Sequence, residues 1–335
     1  MSKVITFGEL LLRLSPERRL RLSQSERLCA CYGGAEANVA VSLSVFGEDA
    51  AFVSALPDNP VGEAALSSLK KYGVDTAHVL RQGPRIGIYY LEQGASYRPS
   101  SVTYDRAGSS FALLCPGALD WEDIFSDADW FHLTGITPAL GGHLPQICME
   151  ACAAAKSAGC TVSFDPNHRK LLWDAKTAGE QIAPLLDYVD VLITNDGQAA
   201  DLFGLAPAKT EENRPARSSE MAAELSARFH IPQVAMTLRT TLSSDQNLWS
   251  ALLYDKGRVF SSPSYDIRVT DRVGGGDSFA AGLIYALRKG EDPQSAIEFA
   301  TAASCLKLTI EGDYNLSTVQ EVRHLARGGN GRMIR

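Results

Sequence analysis

Short apolar runs alternate with amphipathic segments along most of the chain. The candidate strands cover residues 3–7, 50–56, 130–133, 161–165, 190–194 and 233–238. The segments between and after them carry apolar residues at helical spacing, at 35–46, 59–72, 144–158, 178–186, 199–203, 218–229 and 293–308. Strands that alternate with helices indicate a mostly parallel sheet covered by helices on both faces. The pattern therefore predicts an α/β fold.

Two segments do not follow this alternation. In residues 11–32, leucines alternate unevenly with arginines, which favours short, partly exposed strands. Residues 85–111 contain two more candidate strands, 86–91 and 101–104. We expect both segments to lie outside the main sheet.

Three further segments carry turn or loop signals. Residues 249–254 and 258–261 flank Asp255-Lys256-Gly257, a sequence typical of a hairpin turn. Residues 207–219 contain two prolines and two adjacent glutamates and are predicted to be an exposed loop. Residues 327–335 are predicted to be a frayed end.

Composition narrows the class of protein but says nothing about chemistry. Hydrophobic residues make up 45% of the 335 residues, enough for a large core. The net charge is −7 and the basic residues are scattered, which argues against a nucleic-acid partner. Seven cysteines without a C-x-x-C pair favour reduced thiols. The N-terminus does not read as a signal peptide, and no apolar run reaches the roughly 18 residues of a membrane span. We expect a cytoplasmic protein that does not act at a membrane.

The clearest chemical signal is three consecutive glycines. Gly274, Gly275 and Gly276 precede Asp277, and apolar residues at helical spacing follow. The N–H groups of such a loop and the partial positive charge of a helix N-terminus together bind anions. A carboxylate beside an anion hole suits phosphoryl transfer. The alternative reading is a tight turn with Asp277 as a helix cap.

Two sequence blocks resemble the ribokinase-like (PfkB) sugar kinases. Residues Gly33 to Ala40 resemble the N-terminal Gly-Gly-x-x-x-Asn block, and Asp271 to Phe279 resemble the C-terminal block D-T-x-G-A-G-D-x-F. Within the family, the chain looks most like 2-keto-3-deoxygluconate kinases. That closer resemblance lies in Phe7-Gly8-Glu9, Tyr104-Asp105-Arg106 and the segment from Asp165 to Trp173.

The resemblance implies a fold and an assembly. The fold would be a single three-layer α/β/α ribokinase-like domain over residues 1–335, with a small β-sheet lid formed by residues 11–32 and 85–111. Sugar acid would bind between lid and sheet, and the nucleotide along the C-terminal half. Family members often pair through the lid, so we expect a homodimer or a higher homo-oligomer.

The resemblance also implies the reaction, transfer of the ATP γ-phosphoryl group to the 6-hydroxyl of the sugar acid. Asp277 would be the base, and the N–H groups of Gly274, Gly275 and Gly276 would stabilise the transferring phosphate. A carboxylate at a helix N-terminus is expected to have a low pKa. This is compatible with catalysis because the transition state is loose and the proton moves late.

The predicted substrate site follows from the carboxylate of a sugar acid. Arginine binds a carboxylate through a two-pronged fork, which makes Arg106 and Arg169 its expected partners. Tyr90 and Tyr104 would supply hydroxyls and a flat wall, with Gly34 and Asn38 below.

The nucleotide side departs from the family pattern. The residues expected near the phosphates and metal are Asp165, Asn167, Asn195, Thr237 and Arg239. Many relatives have a glutamate where this chain has Gln198. The metal ligands are therefore unassigned: Mg²⁺ would be bound by Asp196, or mainly by ATP and water. A monovalent cation near Asp271 and the loop at Gly312 is a further cofactor that the family implies.

Several alternatives remain open at this stage. A kinase of the same fold could act on 2-keto-3-deoxygalactonate, fructose or tagatose, although paired arginines disfavour neutral sugars. A sugar-acid-binding pseudokinase is supported only by Gln198. An NAD dehydrogenase would need G-x-G-x-x-G after the first strand, where the chain has Phe7-Gly8-Glu9-Leu10.

Overall fold

The protein is built around one large sheet flanked by helices. The structure is a computed structural model that describes residues 2–329. The strands are β1 (Lys3–Phe7), β2 (Leu11–Pro16), β3 (Leu28–Gly33), β4 (Ala50–Leu56), β5 (Val79–Arg81), β6 (Gly87–Glu92), β7 (Ser101–Asp105), β8 (Ala128–Thr134), β9 (Thr161–Asp165), β10 (Val191–Asn195), β11 (Gln233–Ser243), β12 (Gln246–Asp255), β13 (Arg258–Ser261) and β14 (Tyr265–Arg268).

The large sheet has the strand order β13-β12-β11-β10-β9-β8-β1-β4-β5, with β14 also paired to β12. The six pairings from β11 to β5 are all parallel, and β12 pairs antiparallel with β11, β13 and β14. The predicted mostly parallel sheet is confirmed. The carboxyl ends of β1, β8, β9, β10 and β11 consequently lie along one edge, where open α/β sheets bind ligands.

Helices cover both faces of this sheet. They are α1 (Ala35–Val45), α2 (Pro60–Lys70), α3 (Trp121–Ile124), α4 (Ile136–Ala139), α5 (Leu144–Ser157), α6 (Ala175–Ile182), α7 (Asp196–Phe203), α8 (Arg214–Phe229), α9 (Gly275–Arg288), α10 (Pro293–Lys307) and α11 (Val319–Ala326). Alternate residues of each strand face opposite layers. In β1, Ile5 and Phe7 pack in the core that includes α5 to α8, while Val4 packs in the core that includes α1, α2, α9 and α10. The fold is therefore a three-layer α/β/α arrangement.

A small second sheet of four strands, in the order β3-β2-β6-β7, stands apart from the main sheet. Its strands come from the two segments that the sequence set apart, 11–32 and 85–111, with only Gly33 beyond their limits. Leu11, Tyr89 and Leu91 form a small apolar cluster on one face of it. Contacts between the second sheet and the main body are described with the site.

Two sequence predictions need correction. The predicted loop 207–219 ends at Asn213, because α8 begins at Arg214 with Pro215 in its first turn, a position that suits proline. Strands β5 and β14 and helices α3, α4 and α11 were not predicted. Of the predicted frayed end, residues 330–335 lie outside the described residues. No helix within residues 2–329 has the length and apolar character needed to cross a membrane.

Candidate active site

A cavity of about 490 Å³ lies between the carboxyl edge of the main sheet and the second sheet, a size typical of small-molecule sites. Of the predicted site residues, the following line it: Gly34, Asn38, Tyr104, Arg106, Asp165, Asn167, Arg169, Asn195, Thr237, Arg239, Gly274, Gly275, Gly276 and Asp277. Residues more than 200 positions apart in the chain thus meet in one place. Only Tyr90 of the predicted set is not among the lining residues.

The three glycines of the loop differ in the space around their Cα atoms. Gly274 caps α9 in the left-handed region, with φ +82°, and a Cβ there would stand 2.1 Å from the carbonyl oxygen of Asp313. At Gly275 a Cβ would stand 2.9 Å from a methyl carbon of Leu308. At Gly276 a Cβ would meet no described atom within 4 Å, and the residue is exposed. The fold requires the first two glycines, and the open space above Gly276 is left for close approach of a ligand.

Asp277 follows this loop in the first turn of α9. The side-chain amide of Asn38 on α1 donates a hydrogen bond of 2.6 Å to its Oδ2 atom. Burial raises the pKa of Asp277 to about 6, against the hydrogen bond from Asn38 and the positive charge of Arg169, which lower it. The expected low pKa is therefore wrong, because removal from water outweighs the helix N-terminus. Asp277 is ionised at neutral pH and able to accept a proton.

Two more carboxyl groups share this part of the cavity. Burial raises the pKa of Glu36 to about 7 and that of Asp165 to about 7, and repulsion from Asp277 adds to both shifts. Glu36 was not among the predicted site residues. Its Oε1 accepts hydrogen bonds from the backbone N–H and hydroxyl of Thr134 and from the hydroxyl of Thr137. Its position beside Asn38 at the start of α1 was a usable signal.

Arg106 lies in the cavity wall but is already paired. Its Nε donates to Glu9 Oε2 at 2.8 Å, and its Nη2 donates to the same oxygen. Both side chains are buried, and the hydroxyl of Ser109 donates to the other oxygen of Glu9. A Cβ on Gly87 would meet Glu9 Oε1 at 2.6 Å, so glycine is needed where the pair packs against β6. The Arg106 guanidinium, predicted to bind the substrate carboxylate, thus already donates two of its hydrogen bonds to Glu9. Glu9 was not among the predicted site residues.

Arg169, in contrast, is exposed to the cavity, and its guanidinium has no hydrogen-bond or ion-pair partner among residues 2–329. Its charge lowers the pKa values of Asp165 and Asp277, which places it close to both carboxyl groups. An unpaired cation beside the candidate base suits the binding of an anionic substrate.

The structure brings Tyr89, and not the predicted Tyr90, to the cavity wall. Neighbouring residues of a strand face opposite sides of the sheet, and β6 pairs Tyr89 with Tyr104 of β7. Tyr89 lines the cavity with Tyr104, whereas Tyr90 pairs with Thr103 on the other face. The Tyr89 hydroxyl donates to Oδ2 of Asp313. Both faces of β6 carry apolar residues, so its sequence pattern did not distinguish the two tyrosines.

The predicted nucleotide residues lie on or directly after three adjacent strands, but Thr237 and Arg239 lie within β11 rather than at its predicted end, because this strand continues to Ser243. Asp165 ends β9 and accepts a hydrogen bond from the backbone N–H of Asn167, which adopts the left-handed region with φ +39°. Asn195 ends β10 and caps α7 through its side-chain oxygen. Thr237 and Arg239 lie on β11. All of them face the cavity that the glycine loop also lines.

Asp196, one of the two alternatives for holding Mg²⁺, is already ion-paired with Arg214. Arg214 holds it with two hydrogen bonds, Nε to Oδ2 at 2.6 Å and Nη2 to Oδ1 at 3.0 Å. Gln198 accepts a hydrogen bond from the hydroxyl of Thr194. Within the described part of the chain, no group of three or more His, Cys, Asp or Glu side chains is arranged to hold a metal ion. This arrangement fits a Mg²⁺ ion that arrives with nucleotide phosphates and keeps its waters.

A three-layer α/β fold whose sheet edge carries an anion-binding loop and a buried carboxylate defines the class, a sugar kinase of ribokinase-like fold. The family model described as "pfkB family carbohydrate kinase" matches residues 1–319. The chain belongs to this family.

Individual relatives include sugar-acid kinases and, at 27–29% identity, several fructokinases. The crystal structure of 2-dehydro-3-deoxygluconokinase from Thermotoga maritima superposes with a TM-score of 0.94 at 45% identity, covering 98% of each chain. A 2-dehydro-3-deoxygalactonokinase from Haloferax volcanii is 34% identical over 98% of each chain. A 2-dehydro-3-deoxygluconokinase from Thermoproteus tenax is 27% identical over 93% of this chain and 90% of its own. The relatives include kinases for both epimers.

Proposed function

We propose that this carbohydrate kinase transfers the γ-phosphoryl group of ATP to the 6-hydroxyl of a 2-keto-3-deoxy sugar acid, with 2-keto-3-deoxygluconate as the first candidate. The observation that carries the proposal is that the unpaired Arg169 lines the same cavity as Asp277. A partly buried base and a free guanidinium in one cavity are suited to a substrate that has both a hydroxyl and a carboxylate. The similarity to the Thermotoga maritima enzyme supports the same substrate class.

The reaction needs positioning more than proton abstraction. Asp277 is held by Asn38 so that its other oxygen is free to orient the sugar hydroxyl and to accept its proton late. The N–H groups of the glycine loop would face the transferring phosphoryl group and stabilise its charge. Gly276 leaves the space that this approach requires.

On the substrate side, Arg169 would bind the carboxylate. Arg106 would contribute its Nη1 donors, which have no acceptor among the described residues, while Glu9 fixes its orientation. Tyr89 and Tyr104 would form the flat wall, with Gly34 and Asn38 below.

On the nucleotide side, Arg239 and Arg272 would attract the phosphates. Asp165, Asn167, Asn195 and Thr237 would surround the phosphates and the hydrated Mg²⁺ ion, whose inner ligands would be mainly phosphate and water. The chemistry that Mg²⁺ would supply there is neutralisation of the phosphate charge.

The second sheet would act as a lid and as the surface through which two copies pair. On the face away from the cavity, Leu12 and Leu14 of β2 register with Ile88 and Tyr90 of β6. Leu28 at the sheet edge is 38% exposed. Residues 1–335 would form a single kinase domain, and two or more copies would associate through this surface into a homodimer or higher homo-oligomer. The protein would act in the cytoplasm.

A second candidate substrate is 2-keto-3-deoxygalactonate, which the 34% identity to the Haloferax volcanii enzyme favours. The two epimers differ at one hydroxyl and share the carboxylate that Arg169 would bind. Fructose and tagatose lack that carboxylate. A pseudokinase is disfavoured by the intact Asp277 and glycine loop.

The decisive experiment is ATP-dependent phosphorylation of a substrate panel by the purified protein. The panel contains both keto-deoxy sugar acids, fructose and tagatose, with ADP release and product mass as readouts. We expect the sugar acids to exceed the neutral ketoses in kcat/KM by about 10³-fold. A neutral ketose has no carboxylate and would leave the arginine of the site without its partner. Faster turnover of a neutral ketose would contradict the substrate assignment, and no turnover of any of them would favour a binding protein.

A further inference from the structure

Lys307 is a buried cation that the proposed reaction does not use. It ends α10, and its side chain has no exposed surface. Its ammonium donates one hydrogen bond, of 3.1 Å, to the carbonyl oxygen of Ile310, and it has no ion-pair contact within residues 2–329. Burial of an ammonium group is unfavourable by several kcal/mol unless nearby charges compensate it. Its position therefore requires an explanation.

The side chain of Lys307 packs directly against the glycine loop. Its Cε atom lies 3.0 Å from the point where a Cβ on Gly274 would stand. Burial lowers the pKa of Lys307, and the carboxylates of Asp271, Asp313 and Asp277 oppose that shift. The ammonium is thus a buried positive charge directly next to the loop, and Lys307 is not among the residues that line the cavity.

The family resemblance implies a dissolved monovalent cation in this region, but the carboxylate oxygens here already have partners. Oδ2 of Asp271 accepts hydrogen bonds from Arg13 at 2.7 Å, from Gln93 and from the backbone N–H of Gly312, and its Oδ1 accepts one from Val273 N–H. Both oxygens of Asp313 accept hydrogen bonds, one from Arg13 and one from Tyr89. The Ile310 carbonyl is used by Lys307.

The charges in this buried cluster are also balanced. Two carboxylates, Asp271 and Asp313, face two resident cations, Arg13 and Lys307. An additional cation would have neither a free carboxylate oxygen nor an uncompensated charge to attract it. The residues present therefore do not fit a dissolved monovalent cation.

We propose that Lys307 is a built-in cation of the glycine loop, which takes the place of a dissolved monovalent cation and makes turnover independent of added K⁺. Lys307 is a positioning residue: it supports the backbone at Gly274, whose neighbours present their N–H groups to the cavity. The inference rests on the proposed function where turnover is the readout, so a second readout that needs no turnover is included.

The first test uses the unmodified protein in chlorides of K⁺, Na⁺ and tetramethylammonium at equal ionic strength. An ion that binds only the native state raises Tm, and the rise grows with the ratio of its concentration to its Kd. We expect kcat and Tm to agree among the three salts, kcat within about twofold. A several-fold stimulation of kcat, or a K⁺-specific rise in Tm, would overturn the inference. If no sugar is phosphorylated, the proposed function fails. The Tm values in the three salts still decide whether a dissolved monovalent cation binds the protein.

The second test removes the ammonium. Lys307→Ala is compared with Lys70→Ala, which removes a lysine from the last turn of α2 at the surface. We expect Lys307→Ala to lower kcat about tenfold, with the KM values of both substrates changed by less than about threefold. We also expect K⁺ or NH₄⁺ to raise its Tm and restore part of kcat, because the vacated volume admits an ion. An unchanged kcat, or a loss without any response to these ions, would contradict the proposal. If the variant does not fold, the ion series on the unmodified protein remains decisive.

Discussion

The two sides of the cavity differ in how their positive charges are compensated. On the side of the second sheet, Arg106 is paired with Glu9, and Arg13 with Asp271 and Asp313, all buried. On the nucleotide side, Arg214 is paired with Asp196, but Arg239 has no ion-pair partner among the described residues. Arg272 there donates only to the carbonyls of Ser243 and Ser244 and to the amide oxygen of Asn247.

This difference separates two uses of arginine. The paired arginines on the side of the second sheet connect that sheet to the main body and complete the fold without a ligand. The unpaired ones, Arg169, Arg239 and Arg272, raise the positive potential of the cavity, and burial together with the other arginines lowers the pKa of Arg239. We infer that the paired arginines stabilise the fold and that the unpaired arginines bind anionic ligands.

The largest expected effect is the loss of protein stability when the Arg106–Glu9 pair on the side of the second sheet is broken. Arg106→Met leaves the Glu9 carboxylate buried without its counter-charge, and loss of one partner of a buried pair typically costs about 3–5 kcal/mol. We expect a clearly lowered Tm and denaturant midpoint. The matched control is the Glu9→Met/Arg106→Met double variant, which should be more stable than the single variant. Equal stability of Arg106→Met and the unmodified protein would show that the pair does not support the fold.

Asp277 lies where the two sides meet, and its replacement should affect turnover most. We expect Asp277→Asn to lower kcat at least about 10²-fold, because the hydroxyl loses its proton acceptor. Circular dichroism and Tm serve as the test of folding. Near-normal turnover of a folded Asp277→Asn variant would remove Asp277 from the mechanism.

The same variant should be more stable than the parent above pH 6. The pKa of Asp277 is about 6 in the folded protein and roughly 4 in the unfolded chain, so the native state binds the proton more tightly. The stabilisation from protonation is present at low pH and is lost as the pH rises through 6. We therefore expect the Tm advantage of Asp277→Asn to grow from pH 5 to pH 8, reaching roughly 2 °C. A constant difference in Tm would contradict the raised pKa.

Arg239 should show the behaviour expected of the unpaired side. Arg239→Met removes a cation that has no carboxylate partner, so Tm should be unchanged or slightly higher. We expect KM for ATP to rise about tenfold, corresponding to one lost charge-assisted contact, while KM for the sugar acid stays constant. Kinetics with each substrate varied in turn provide the measurement. A lowered Tm with unchanged KM for ATP would place Arg239 with the structural arginines.

The smallest structural change tests the open space above the glycine loop. Gly276→Ala adds one methyl group where no described atom lies within 4 Å, so we expect an unchanged Tm and a kcat lowered roughly tenfold. Gly274→Ala is the matched control, since its Cβ would clash with Asp313 and its φ is +82°, and it should lower Tm strongly. If Gly276→Ala keeps full activity, the ligand does not approach the loop as closely as proposed.

The fold was largely predictable because its signals are local. Helix α9 and its glycine loop are contiguous in sequence, and β4, β9 and β13 begin and end at the predicted residues. Helix α8 begins four residues before its predicted start. The prediction treats Pro215 as a loop residue, although proline suits the first turn of a helix. Local patterns were thus most reliable where glycine or a continuous apolar run marked an element boundary.

The site was less predictable because its charges are paired over long distances in the chain. Glu9 and Arg106 are 97 residues apart, and Arg13 and Asp313 are 300 apart, so no spacing rule connects them. The pKa of Asp277 depends on burial, which only the packed structure defines. The choice between Tyr89 and Tyr90 depended on the register between β6 and β7, because both residues are apolar enough for either face.

The central claim is that the unpaired Arg169 recognises the carboxylate of the sugar acid. Its most direct test is the ratio of kcat/KM for 2-keto-3-deoxygluconate to that for fructose, measured for the parent protein and for Arg169→Ala. Loss of one charged contact should lower this ratio by roughly 10- to 100-fold, through the sugar acid alone, with the fructose value unchanged. An unchanged ratio, with both substrates affected equally or not at all, would contradict the account.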